Sequence, residues 1–194
     1  MSRRCNGMAI KIYIDQGHNP ENPNAGAEGN GLREQDITYR VGKALGELLR
    51  ANPAFEVRES RPTPDTALGS SNTTSLQRRV QDANAWGADY FISIHTNASS
   101  IPSATGAESF VYEANSQAYR LGVDITQSLS NATGLQDRGT KVRPGLYVLR
   151  RTAMPAVLVE IGFITNPSDA ALMNNDPQLF ARGIYNGILE FFSL

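Results

Sequence analysis

The chain contains only two histidines, His18 and His95, and each follows an apolar segment with the composition of a buried strand. His18 comes shortly after residues 10–14, and His95 comes directly after residues 90–94. In an open α/β sheet, ligands bind outside the carboxyl ends of the strands. We therefore expect both imidazoles at one edge of a sheet, where they can bind a metal ion. An ordinary packing or surface role is the alternative for each.

Glu34 is the candidate for a third metal ligand. A catalytic zinc site has three protein ligands and an open position, and two histidines with one glutamate are a known ligand set. Glu34 opens a segment with helical spacing directly after the loop that carries His18, so its carboxylate can turn back toward that loop. A second interpretation stays equally open, because a glutamate in the first turn of a helix also stabilises the helix dipole by about 0.3–1 kcal/mol.

Glu160 is the second carboxylate whose position is informative. It lies near the end of AVLVEIGF, the most apolar predicted strand of the chain. A charge in such a strand is costly unless it is paired, bound to a metal or catalytic. The strand-end position favours a catalytic role, and a salt bridge to Arg150 or Arg151 is the structural alternative.

Strand and helix patterns alternate along the chain. Further strands are predicted at residues 55–59, 108–112, 146–149 and 156–161, helices at 34–51, 76–86, 116–132 and 177–192, and polar loops at 15–31, 61–75 and 96–106. Such alternation predicts an α/β fold with a largely parallel central sheet. No fixed-period repeat or long linker divides the sequence, so we expect one domain over residues 1–194.

The composition excludes several classes of protein. Lys plus Arg (18) nearly balances Asp plus Glu (19), which argues against a strongly basic nucleic-acid-binding protein. The single cysteine, Cys5, excludes an intrachain disulfide framework and a cysteine-rich zinc module. No apolar run approaches the roughly 20 residues that span a bilayer, so we expect no membrane insertion.

The N-terminal segment does not have the pattern of a signal peptide. Its basic residues are followed by an apolar stretch that Lys11 interrupts, and no small-residue cleavage site follows. We expect synthesis and retention in the cytoplasm, or release by a route other than a cleaved signal. An origin as one domain cut from a longer protein is an open alternative.

Six sequence blocks occur in an order that resembles a known enzyme family. They are DQGHNP (15–20), GNGLREQDI (29–37), SLQRRVQDAN (75–84), SIHTNA (93–98), GAESFVY (106–112) and LYVLRRTAMPAVLVEIGFITNPSDAALM (146–173). Each block alone is weakly specific, but their order and the H…E…H…E series make the set specific. The chain resembles, over nearly its whole length, the zinc-dependent N-acetylmuramoyl-L-alanine amidases of the amidase_3 family, the AmiC and CwlV type.

This resemblance implies a fold, a ligand set and an activity. The fold would be a twisted, mostly parallel six-stranded sheet with helices on both faces. The family's zinc ligands fall on His18, Glu34 and His95, and its catalytic glutamate falls on Glu160. The implied reaction is hydrolysis of the amide between the lactyl group of N-acetylmuramic acid and the L-alanine of the stem peptide. Peptidoglycan is then the partner, Zn²⁺ the cofactor, and we expect a monomer.

The resemblance is not complete around the proposed ligands. Asn19 and Pro20 follow His18 where many members have glycines, and Gln35 stands where lysine is common. We expect these departures to affect only contacts at the rim of the site.

Other residues near the proposed site carry weaker hypotheses. Asp15 and Asn97 neighbour the candidate ligands in sequence and are expected to orient a histidine, with ordinary turn chemistry as the alternative. Arg79 matches the family's L-x-x-R-V block, and its role as an ion-pair partner or as a substrate contact stays open. The loops at 60–75 and 96–106 are expected to line the substrate groove, although plain solvent-exposed loops are equally compatible with their composition.

Two other functions remain as alternatives. A different zinc hydrolase, such as an exopeptidase, would use the same metal chemistry on another substrate. A catalytically inactive wall-binding module would keep the fold without turnover. If the chain is an amidase, the missing export signal fits a phage endolysin released through holin pores or a mother-cell lysis enzyme of a sporulating bacterium, that is, an endolysin or an autolysin.

Overall fold

Residues 9–194 are described by this computed structural model, and Cys5 lies outside the described residues. In chain order the strands are β1 (Ile10–Gln16), β2 (Glu28–Gly29), β3 (Leu32–Arg33), β4 (Phe55–Glu59), β5 (Tyr90–Asn97), β6 (Ala107–Val111), β7 (Asp137–Val142) and β8 (Ala156–Phe163). The helices are α1 (Glu34–Arg50), α2 (Asn72–Trp86), α3 (Gln117–Thr133), α4 (Tyr147–Arg151), α5 (Pro167–Asn175) and α6 (Pro177–Phe192). Within residues 9–194, no helix combines the length and apolar composition that crossing a membrane requires.

Six of the strands form one sheet in the order β4-β1-β5-β8-β6-β7, while β2 and β3 form a separate hairpin. Every neighbouring pair in the large sheet is parallel except β6 with β8. The prediction of a mostly parallel six-stranded sheet is therefore confirmed. Because β6 runs opposite to β8, its amino-terminal end lies at the same edge as the carboxyl ends of β1, β5 and β8.

The alternation of side chains along the strands produces two apolar layers, one on each face of the sheet. Ile12 and Ile14 of β1 face the layer that contains apolar residues of α1, α3 and α6. Tyr13 of β1 and Phe91 of β5 face the other layer, which contains residues of α2 and α4. Helices thus cover both faces, as predicted. His95 and Glu160, described below, alternate with the residues of the other layer and lie on the α2/α4 face.

Helix α1 illustrates how the sequence positions a functional residue. Ile37, Val41 and Leu45 recur at four-residue spacing and are fully buried against the sheet. Residues at this spacing share one face of a helix, which fixes the rotation of α1 about its axis. Its first residue, Glu34, is thereby held near the edge where β1 and β5 end.

The predicted strand at residues 146–149 is wrong, because this segment forms the start of helix α4. A short apolar run has no periodicity that separates a buried strand from a buried helical turn. In the structure, Val148 and Leu149 are both buried in the α2/α4 layer, which adjacent residues of a strand covered on one face cannot achieve.

The sixth strand of the sheet is β7, which the sequence analysis did not identify. Its sequence DRGTKV is polar, and among the described strands it pairs with β6 alone, at the edge of the sheet. Polar edge strands lack the apolar pattern that identifies a buried strand. Helix α5 was not predicted, nor was the β2–β3 hairpin, which begins within the predicted loop at 15–31 and ends just after it. Helix α2 begins four residues earlier than predicted, at residue 72 instead of residue 76.

Candidate metal centre and catalytic edge

Three separate parts of the chain bring His18, Glu34 and His95 together. His18 lies just beyond the end of β1, with a left-handed backbone conformation (φ 67°). Glu34 is the first residue of α1, and His95 lies on β5. One ligand atom from each residue lies within 4.8 Å of the others, so the three side chains form a group that can hold a metal ion.

Glu34 lies between the two imidazoles. Its Oε2 is 3.2 Å from Nε2 of His18, and its Oε1 is 3.0 Å from Nδ1 of His95. Its two oxygens also accept hydrogen bonds from the backbone N–H groups of Ala27 and Thr96, both at 2.9 Å. Burial alone would raise the pKa of this carboxyl, but the hydrogen bonds from the histidines outweigh burial and hold the pKa well below its ordinary value. Glu34 is therefore an anion that contacts both histidines, so its role is not limited to stabilising the helix dipole.

The donor set fits a zinc ion. Two imidazole nitrogens and one carboxylate are ligands that zinc accepts, and three protein ligands leave a position open for chemistry. In addition, Nδ1 of His18 and Oε2 of Glu160 are buried and have no hydrogen-bond partner among the described residues. Buried polar atoms without partners are rare in folded proteins, which is consistent with a bound group at this location.

The loop that carries His18 is held by Arg79, a buried residue of α2. Its guanidinium donates to the backbone carbonyls of Gln16 and His18, at 2.5 and 2.6 Å, and forms an ion pair with Asp15 at 2.6 Å. Arg79 is only 1% exposed. It is therefore a structural ion-pair partner that fixes the position of the His18 backbone.

The hypothesis that the side chains of Asp15 and Asn97 orient a histidine is wrong. Asp15 accepts hydrogen bonds from Arg79 and Ser93, and within residues 9–194 it has none from a histidine. Burial would raise the pKa of Asp15, but the charge of Arg79 and the hydrogen bonds lower it below the ordinary value. Asn97 instead donates to Oε1 of Glu108 at 2.6 Å. Asp15 therefore contacts Arg79, which holds the His18 backbone, and Asn97 contacts Glu108, which lies opposite Glu160.

The two departures from the family pattern hold the same loop. The side-chain amide of Asn19 donates to the carbonyls of Pro23 and Leu68, and its oxygen accepts from the N–H of Leu68. Oε1 of Gln35 accepts from the N–H of Gly26 at 3.1 Å. Asn19 and Gln35 are both buried. The expectation that they affect only the rim is therefore wrong.

Glu160 lies on β8 directly beside His95, its partner across the strand pair. The alternative of a salt bridge to Arg150 or Arg151 is wrong, since no ion pair to Glu160 is present among the described residues. Burial raises the pKa of Glu160 to about 8, and the nearby charges of Glu34 and Glu108 act in the same direction. A carboxyl of this kind can accept and return a proton near neutral pH.

Glu108 is a residue of the site that the sequence analysis did not single out. It pairs with Glu160 across β6 and β8 and forms an ion pair with Lys141 of β7. In the strand AESFV, alternate residues lie on the same face, so Glu108 shares a face of β6 with the apolar Phe110. A charged residue on the same face as an apolar one was the pattern in the sequence that could have identified Glu108. Lys141 was not identifiable, because β7 itself was missed.

A small pocket of about 140 Å³ adjoins His18 and His95 on the α2/α4 face. Its other walls include the apolar side chains of Leu76, Leu146, Tyr147, Val148 and Leu158. The expectation that the loops at 60–75 and 96–106 line the groove is wrong for this pocket, since neither loop contributes a wall residue. A larger cavity of about 550 Å³, bounded by Tyr112 and Ala156, lies away from the four proposed site residues.

Comparison with known proteins connects this chain to a family. Residues 12–190 match the family described as Amidase_3, N-acetylmuramoyl-L-alanine amidase. N-acetylmuramoyl-L-alanine amidase CwlM of Bacillus licheniformis is 38% identical over 192 residues, which cover 95% of this chain and 70% of CwlM. The endolysin of Bacillus phage SPP1 is 33% identical over 195 residues, which cover 96% of this chain and 68% of the endolysin.

A solved structure has the same fold. The N-acetylmuramoyl-L-alanine amidase from Clostridium difficile 630 superposes with a TM-score of 0.85 at 30% sequence identity. The match covers 95% of this chain and 97% of that chain.

Proposed function

The chain belongs to the N-acetylmuramoyl-L-alanine amidase family, and from this premise we propose that it is a zinc-dependent peptidoglycan hydrolase. Its reaction is hydrolysis of the amide between the lactyl group of N-acetylmuramic acid and the L-alanine of the stem peptide. The observation that carries the proposal is the grouping of His18, Glu34 and His95 within 4.8 Å, with the buried Glu160 beside them on β8.

His18, Glu34 and His95 hold the zinc ion in this proposal. Zinc, when bound, supplies a Lewis acid that acidifies water and polarises the scissile carbonyl. The chain contributes the geometry: Arg79 fixes the His18 backbone, and the backbone N–H groups of Ala27 and Thr96 orient the Glu34 carboxylate. Ligands that are held before the metal arrives bind it more tightly than mobile ones.

Glu160 is the proposed general base and acid. Its carboxylate takes a proton from the attacking water and then delivers it to the nitrogen of the leaving L-alanine. This second step is needed because an amine leaves poorly unless it is protonated. A raised pKa supports the role, since the group then binds and releases a proton close to neutral pH.

Separate substitutions of the two glutamates test these roles. Glu34→Gln should lose bound zinc, because an amide is a poorer metal ligand than a carboxylate. Glu160→Gln should keep zinc and lose about 10²–10⁴-fold in turnover, the usual contribution of general acid–base catalysis. Metal analysis of both purified variants, with a peptidoglycan digestion assay run with and without chelator, measures both effects.

The products identify the bond that is cut. The proposal expects L-alanine-headed peptides to be released from purified peptidoglycan without new reducing sugar ends. New reducing ends, or retention of both zinc and normal turnover in both variants, would contradict it. The matched control is Glu28→Gln, an exposed glutamate of β2, which should change neither property.

We further propose that the chain acts as one catalytic domain over residues 1–194 and works as a monomer on the cell wall. The similarity to a phage endolysin and to a bacterial amidase supports both settings, endolysin and autolysin. Release from the cytoplasm through holin pores or by mother-cell lysis fits either one.

A further inference from the structure

The small pocket beside the candidate metal centre has a surface suited to an apolar group. Its walls come from Leu76 of α2, from the segment 146–148 and from Leu158 of β8. Most polar groups that border it are already bonded elsewhere: Asp15 to Arg79 and Ser93, Asn24 to Ser75, and the terminal nitrogens of Arg79 to Asp15 and two backbone carbonyls. Nε of Arg79 and Nδ1 of His18 have no partner among the described residues, but both atoms are buried. A hydroxyl or carboxylate placed here would give up hydrogen bonds to water for few new partners.

The size of the pocket limits its occupant. Sites that enclose a drug-sized ligand have volumes of about 300–1,000 Å³, whereas this pocket has about 140 Å³. A cavity of about 150 Å³ is large enough for benzene, so this pocket accepts a small apolar group such as a methyl with the carbon that bears it. It is too small for an extended peptide.

The location relates the occupant to the reacting bond. His18 and His95 are walls of the pocket and also candidate metal ligands. Leu158 lies two residues before Glu160 on β8, so both side chains are on the α2/α4 face. A group in the pocket therefore lies against the two candidate histidine ligands and on the same face of the sheet as Glu160, so it belongs to the part of the substrate next to the reacting bond.

We propose that this pocket is a specificity subsite that binds a methyl group flanking the scissile amide. The inference rests on the proposed amidase function. Two methyl groups flank the amide, one on the lactyl carbon of the muramic acid and one on L-alanine, and both have the chemistry that the pocket accepts. The subsite makes the enzyme select substrates by a group that takes no part in bond breaking.

Synthetic substrates separate the two sources of the methyl group. The parent is an N-acetylmuramoyl-L-alanyl peptide. One analogue has glycine in place of L-alanine, and the other has a glycolyl in place of the lactyl group. The analogue that lacks the bound methyl should lose about 10–200-fold in kcat/KM, the usual effect of one missing methylene or methyl in an apolar pocket. The other analogue should lose much less.

Leu76→Ala tests whether this pocket produces the discrimination. Leu76 is a half-buried wall residue, and its truncation should bring the parent-to-analogue ratio of kcat/KM several-fold closer to one. Leu189→Ala, a half-buried leucine of α6 in the layer on the opposite face, is the matched control and should leave the ratio unchanged. A general loss of folding changes both rates together, so the ratio reports the pocket.

The outcomes are distinct for the two proposals. If wild-type enzyme with zinc does not cleave the parent, the proposed function fails. If it cleaves the parent but cleaves both analogues as well as the parent, the amidase function stands and the subsite is refuted. The same conclusion follows if the parent-to-analogue ratio of kcat/KM is the same in Leu76→Ala as in the wild type.

Discussion

Two glutamates that face each other across β6 and β8 have opposite environments. Glu108 contacts the ammonium of Lys141 and accepts from Asn97, so its charge is compensated. Glu160 has a buried oxygen without a partner among the described residues, and its pKa is raised to about 8. Both residues are glutamates, so the difference in how their charges are compensated comes entirely from the neighbouring side chains.

The raised pKa of Glu160 predicts a pH dependence of stability in the zinc-free protein. Between about pH 4.5 and 8 the folded state holds a proton that the unfolded state has released, so the free energy of unfolding falls as the pH rises. Glu160→Gln removes this dependence and should be the more stable protein at pH 8, by up to a few kcal/mol. Urea unfolding in chelator at several pH values measures the difference, and a constant difference across the range would contradict the prediction.

The buried ion pair of Arg79 and Asp15 predicts a large effect on stability. Arg79→Met should destabilise the protein by about 3–5 kcal/mol, because it leaves the Asp15 carboxylate buried without its partner. Adding Asp15→Asn should restore part of that loss. Denaturant unfolding checks both, with Arg78→Met as the control on the exposed side of α2. A loss in the control as large as that in Arg79→Met would contradict a specific role for the pair.

At the scale of elements, the segment from β1 to α1 is folded around the candidate ligands. Side chains of Asn19, Gln35 and Arg79 hold it at several points, and glycines allow its backbone to pass close to the site. A Cβ on Gly17 would lie 2.6 Å from the His95 ring, and one on Gly26 would lie 2.8 Å from Oε2 of Glu34. These close approaches explain the absence of a side chain at both positions.

Gly26→Ala should weaken zinc binding by about 10–100-fold, the range seen when groups that support metal ligands are altered. The added methyl would displace Glu34 and also lie 2.9 Å from Cδ2 of His18. Gly145→Ala is the matched control, because within residues 9–194 no atom beyond its two chain neighbours lies within 4 Å of its new methyl. Competition with a chelator gives both affinities, and equal affinities would show that the segment tolerates the displacement.

At the scale of the molecule, the sheet topology brings distant segments to one edge. The carboxyl ends of β1 and β5 and the amino-terminal end of α1 provide His18, His95 and Glu34. A metal ion bound to all three would cross-link these segments in addition to the hydrogen bonds that already join them. Binding that is specific to the folded state stabilises that state.

Zinc should therefore raise the melting temperature of the whole chain. With free zinc at 100 times its Kd the gain is about 2.7 kcal/mol, which for a chain of this size corresponds to about 5–10 °C. Thermal unfolding with zinc and with chelator measures the shift. Glu34→Gln should largely abolish it, and an equal shift in that variant would mean that the stabilising ion binds elsewhere.

The errors in element assignment have a common physical origin. Residues 146–149 are apolar and become helical, while the polar residues of β7 become a strand. In both cases the local pattern is overruled by neighbours that are distant in sequence: α2 and β8 pack on α4, and β6 pairs with β7. Short elements have too few residues for their own periodicity to prevail.

The sequence by itself determined the candidate donor residues, the long buried strands, the mostly parallel sheet and the family, because these depend on residue types and on patterns extending over many positions. Only the tertiary structure decided that Arg79 pairs with Asp15, that Glu108 is compensated while Glu160 is not, and which side chains wall the small pocket. Each of these is a contact between segments far apart in the chain. Such contacts are set by how the layers pack, and no local pattern encodes them.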